Sequence, residues 1–158
     1  MKAGEVPTAL ETERGLASIA VNNPELFAGF CADGQFDCAD IFSPLCRRVC
    51  EIVLELAARN STCDIRIVFE KLRETTEVAF HELSDLYTLM PVAGALRDYA
   101  KIVRGIAKRR ALLGIVAQAE LDVKNRDIPT EELVAGVAMK AEELGRSMSP
   151  PKRMDTRA

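Results

Sequence analysis

The sequence predicts an all-α protein, a small globular domain of about five helices followed by a C-terminal antiparallel helical hairpin. Three observations carry this expectation. Apolar residues recur at three- and four-residue steps through most of the chain, helix-opening residues stand directly before those stretches, and the two longest periodic stretches are joined by only a short turn.

Thr8-Ala9-Leu10-Glu11 fits a capping box after Pro7, so the first helix is expected from Thr8 through Leu16, Ile19 and Ala20 to Asn22-Asn23-Pro24. Residues 25–30 read as a short second helix before the turn Ala32-Asp33-Gly34-Gln35. Ser43 and Pro44 supply a cap and a first-turn proline for a helix to about Arg59, with Leu45, Val49, Ile52, Val53 and Leu56 as its buried stripe. Cys63, Ile65, Ile67 and Phe69 alternate like a strand, but Ile65, Val68, Phe69 and Leu72 fit a helix capped by Asp64, and Glu70-Lys71-Leu72-Arg73-Glu74 continues it with good helix formers. Helix is therefore the expectation. Residues 79–89 form a further short helix, closed by Met90-Pro91-Val92-Ala93-Gly94.

The longest helix is expected from Ala95 to Asn125, with Tyr99, Ile102, Val103, Ile106, Leu113, Val116 and Leu121 on one face. Asn125–Pro129 turns the chain, and Thr130 caps a last helix whose inner face carries Val134, Val137, Ala138, Ala141, Leu144 and Met148. The division expected is a globular part over about 7–94, a hairpin over about 95–148, and a flexible tail or start of a linker over 149–158.

Of the 158 residues, 48% are hydrophobic and 28% charged, which excludes a wholly disordered chain. No apolar run approaches the roughly 18 residues of a membrane span, and no export signal stands at the start, so a cytoplasmic location is expected, with no membrane partner. The five cysteines then read as reduced, buried thiols. Charge is uneven. Residues 1–96 are net −7, residues 97–126 net +5 and residues 127–158 net −1.

Enzymatic patterns are missing. There is no Gly-Lys dipeptide and hence no phosphate-cradling P-loop, and neither Gly-x-Gly-x-x-Gly nor Gly-x-Ser-x-Gly occurs. Cys46 and Cys50 share a helical face but match no common zinc spacing, which makes them core residues first. His81 lacks a nucleophile at a diagnostic spacing, and the pairs Glu11/Glu13 and Glu142/Glu143 sit among other helix charges. The expectation is no catalytic, cofactor-binding or metal-binding residue in this chain.

The order Leu10-Glu11-Thr12-Glu13, Asn23-Pro24-Glu25, Ile41-Phe42-Ser43-Pro44-Leu45-Cys46-Arg47-Arg48-Val49, Cys63-Asp64-Ile65 with Leu72, and Tyr99-Ala100-Lys101-Ile102-Val103-Arg104 with Ala107 and Arg110 resembles the N-terminal domain of bacterial replicative DNA helicases of the DnaB family. The likeness covers roughly residues 7–148. It departs from the family's pattern at Ile41, Phe42 and Cys46, where an aromatic, a tyrosine and a histidine are usual, and in a shortened turn around Thr75–Val78.

The resemblance implies a helical collar that pairs hairpins into a homodimer or a trimer of such dimers and docks primase or a helicase loader. ATP and magnesium would belong to a motor domain of which these residues hold nothing, and Pro150-Pro151 stand where the family's linker begins. The dimer interface expected comprises Tyr99, Ile102, Ile106, Leu113, Val137, Ala141 and Leu144. The alternative, from the basic face of residues 97–126, is a stand-alone DNA-binding or helicase-regulating protein, with Lys108, Arg109 and Arg110 as candidate nucleic-acid contacts.

Overall fold

Thirteen residues from Leu10 to Asn22 form α1, and every residue from Gly15 to Val21 is buried, so this helix is surrounded on all sides. The computed structural model describes residues 5–148, and the described part is helical without a strand. The 149–158 tail lies outside the described residues. The elements after α1 are α2 (Pro24–Ala32), α3 (Pro44–Ala58), α4 (Ile65–Arg73), α5 (Phe80–Leu89), α6 (Leu96–Lys124) and α7 (Thr130–Met148), with short 3-10 turns at Cys38–Asp40 and Ala93–Ala95.

Local chemistry explains most of the boundaries. Ser43 Oγ accepts from the Cys46 N–H at 3.3 Å and opens α3, and Asp64 Oδ1 accepts from the Arg66 N–H at 2.9 Å and opens α4. Both α2 and α3 end in the same left-handed closure. At the end of α2, Gly34 takes φ +73° while the N–H groups of Gly34 and Gln35 reach the carbonyls of Cys31 and Phe30. At the end of α3, Asn60 takes φ +53° while the N–H groups of Asn60 and Ser61 reach Ala57 and Leu56.

Two expected caps are absent. The first helical bond of α1 runs from the Glu13 N–H to the Ala9 carbonyl, with Ala9 at the cap and no side chain closing it, so Thr8 lies outside the helix and its capping box does not form. At α7 the Leu133 N–H bonds the Pro129 carbonyl, which places Thr130 inside the first turn and not before it. Glu131 and Glu132 do occupy that first turn, where the helix dipole favours them.

The chain forms two units. The larger, residues 8–104, holds α1 to α5 and the first turns of α6. Its core joins Leu16 and Ile19 of α1, Phe27 of α2, Val49, Ile52, Val53 and Leu56 of α3, Val68 and Leu72 of α4, and Leu83 and Leu86 of α5. Small residues let α1 sit at the centre: a Cβ placed on Gly15 would stand 2.7 Å from Cε2 of Tyr99. All eight aromatic rings of the chain belong to this unit.

The face of α6 buried in this unit is Leu96, Ala100 and Val103, at i, i+4 and i+7, while Ile102 is 48% exposed. Of the single face predicted for this helix, only Val103 is thus buried, with Tyr99 and Ile106 half-buried. The buried arc is rotated because Ala100 and Leu96 pack there.

The second unit comprises residues 105–148 with the segment before Thr8. Asn125 Oδ1 accepts from the Asp127 N–H at 3.1 Å in the turn between the helices. The lower part of α6 and α7 flank a groove of about 630 Å³ lined by Ile115, Val123, Ile128, Leu133 and Val137. No described side chain from 105 to 147 is fully buried. The face assigned to Val134, Val137, Ala138, Ala141 and Leu144 is exposed apart from a half-buried Leu144, since a hairpin of two helices has too few neighbours to cover it. The side chain of Met148 is outside the described residues.

Candidate interaction surface

The hairpin unit exposes large apolar side chains along both helices. Leu113 is 49% exposed, Val116 56%, Leu121 64% and Val134 65%. Leu112, Val123, Val137 and Met139 of the same unit are exposed as well, and exposed apolar side chains in such number mark a surface that a partner can cover. Of the expected interface, Leu113, Val137 and Ala141 are exposed and Ile106 and Leu144 half-buried, all within this unit. Ile102 and Tyr99 belong to the other unit. Tyr99 lies with its ring against Gly15, packed onto the core.

The candidate nucleic-acid contacts have differing fates. Arg109 is exposed, Lys108 half-buried, and Arg110 donates from Nη1 to the Pro7 carbonyl at 3.0 Å, which gives its guanidinium a structural task.

No constellation with enzymatic geometry emerges among the described residues. His81 is exposed, and no group of three or more His, Cys, Asp or Glu is placed to hold a metal ion. The Glu11/Glu13 pair is divided, since Glu11 is exposed and Glu13 is 1% exposed with backbone partners. Glu13 Oε1 accepts from the N–H groups of Phe42 and Ser43 at 2.6 and 2.9 Å, so its carboxylate fixes the approach to α3. Among the described residues no helix is long and apolar enough to cross a membrane.

Three sets of contacts went unnoticed in the sequence. Besides Glu13, Ser18 Oγ accepts from the Met90 N–H at 3.1 Å and Asn22 Nδ2 donates to the Tyr87 carbonyl at 3.0 Å, tying the end of α5 to α1. Tyr87 donates to the Cys63 carbonyl at 2.8 Å, and burial pushes its phenol well above the ordinary range. The partners in each set lie from 24 to 72 residues apart in sequence, and no local pattern announces them.

Among solved structures, the N-terminal domain of DnaB helicase from Mycobacterium tuberculosis aligns with a TM-score of 0.73 at 19% identity, over 88% of this chain and 99% of that one. At that identity the likeness is one of fold, and it extends through both units. No curated protein matches the sequence. The family model for the DnaB-like helicase N-terminal domain matches residues 5–105, almost two thirds of the chain and the whole globular unit, so the chain belongs to the DnaB-like helicase N-terminal domain family.

Proposed function

We propose that this chain is a non-catalytic oligomerisation and protein-interaction domain of DNA replication, which pairs its hairpin with that of a second copy and offers the resulting collar to primase or a helicase loader. The carrying observation is the hairpin itself, with no fully buried described side chain between 105 and 147 yet a dense set of exposed aliphatic ones. Ile102, Ile106, Leu113, Val137, Ala141 and Leu144 form the seam, while Tyr99 anchors α6 beside α1. Covering such a surface yields roughly 25 cal/mol per Å² before the cost of association is met.

The test is light-scattering mass after size exclusion over a wide concentration range. The native chain is expected as a dimer or a multiple of dimers, and Ile106→Asp should weaken association at least about tenfold, near 1.4 kcal/mol, with helical content unchanged. A native chain that stays monomeric at high concentration overturns the proposal. A fully dimeric Ile106→Asp chain moves the seam elsewhere.

A further inference from the structure

The segment before Thr8 belongs to the hairpin unit, and its described residues, Glu5, Val6 and Pro7, precede α1 without extending it. Pro7 is buried while Val6 and Thr8 on either side are exposed, so the segment is seated at a single residue. Its seat is α6, where Arg110 Nη1 donates to the Pro7 carbonyl at 3.0 Å across 103 positions of sequence. A proline suits a buried docking point. It has no N–H to leave unpaired, and its backbone acceptor is the oxygen that Arg110 satisfies. Its ring also fixes φ and restricts Val6 to extended geometry, so little freedom is lost when the segment docks.

Ile106, Arg110, Leu113 and Ala117 stand at i, i+4, i+7 and i+11 on α6 and form one stripe. Ile115, Ala119 and Asp122, which line the groove beside α7, lie about half a turn round the helix from that stripe. Exposure changes along the stripe. Ile106 and Arg110, at the level where Pro7 is seated, are half-buried, whereas Leu113 and Ala117, farther along, are exposed. Ile106 and Leu113 are both residues of the proposed seam, so a second copy pairing along this stripe has to meet residues 5–7.

We propose that residues 5–7 are a strap over the Arg110 end of the hairpin's pairing stripe, an autoinhibitory contact that a second copy must displace. The inference rests on the pairing reading and adds its regulation. Strap and second copy compete for one surface, so each weakens the binding of the other by the same factor. The bond that holds the strap is charge-assisted, and its proline is pre-organised. A strap closed about nine-tenths of the time lowers the apparent affinity for a second copy about tenfold.

The test compares dissociation constants, by sedimentation equilibrium, of the full native chain and of a full chain carrying Val6→Gly and Pro7→Gly. The two glycines restore backbone freedom to the strap, leave the α6 stripe unchanged and lie outside every helix, so helical content should not move. The variant should pair about tenfold more tightly, the factor that 1.4 kcal/mol represents. A native chain that pairs, beside a variant that pairs no more tightly, overturns the strap and leaves the pairing reading standing. If neither chain pairs at high concentration, the pairing reading falls and takes the proposal with it. The photo-crosslinking residue p-benzoylphenylalanine in place of Val6 reads the strap directly. At low concentration it should link to residues 106–113 of its own chain, and that link should fade as rising concentration lets a second copy displace the segment. A link made elsewhere, or one that persists undiminished in the dimer, overturns the proposal.

Discussion

Glu13 shows how much one side chain can organise. Its carboxylate is 1% exposed and satisfies the N–H groups of Phe42 and Ser43, directly before the turn in which Ser43 caps α3. Arg47 secures the same stretch from the other side, donating to the carbonyls of Ala39 and Ile41. Replacing Glu13 by leucine strands two backbone donors, each costing about 1–3 kcal/mol when buried. Glu13→Leu should therefore lower stability by about 3 kcal/mol in urea titration, and Glu13→Gln, which keeps an acceptor oxygen, by much less. Equal losses in the two variants would assign the effect to packing alone. None of this was legible in sequence, where Glu13 looks like one of two carboxylates near a helix start. Its partners are 29 and 30 residues away.

At the scale of elements, legibility followed locality. The caps at Ser43 and Asp64 and the turn at Gly34 depend on residues within five positions of one another, and each stands where the sequence placed it. The encirclement of α1 escaped because Gly15, Ala17 and Ser18 carry little hydrophobic signal, although their small size is what admits Tyr99 and the Met90 loop. The rotation of α6 escaped for a related reason, since Ala100 looks weaker as a core residue than Ile102. The closure of α3 is a separate test of local chemistry. Asn60 tolerates its positive φ better than a residue with an ordinary Cβ, so Asn60→Ala should lose about 1 kcal/mol in thermal or urea unfolding. Asn60→Gly should match or exceed the native stability. A stable alanine variant would mean that the closure contributes little.

At the scale of the whole molecule, the two units differ in what holds them. The globular unit has a continuous buried core, whereas the hairpin has intrahelical hydrogen bonds and a groove but no fully buried described side chain between 105 and 147. Amide hydrogen exchange should reflect this, with the slowest sites on α1 and α3 and much faster exchange across 110–147 at low protein concentration. Protection of the hairpin should rise with concentration, because association stabilises the state that pairs. Concentration-independent exchange there would speak against pairing. The sequence made the hairpin's apolar character plain, but not which of its faces meets a partner, since a two-helix unit leaves nearly every face accessible. The confinement of every aromatic ring to the globular unit has a spectroscopic consequence. The chain has no tryptophan, and its two tyrosines report from sites against Gly15 and the Cys63 carbonyl. Intrinsic fluorescence therefore follows the melting of one unit and is blind to the other, and a single tryptophan at Val116 would make hairpin pairing visible as a blue shift on a dark background.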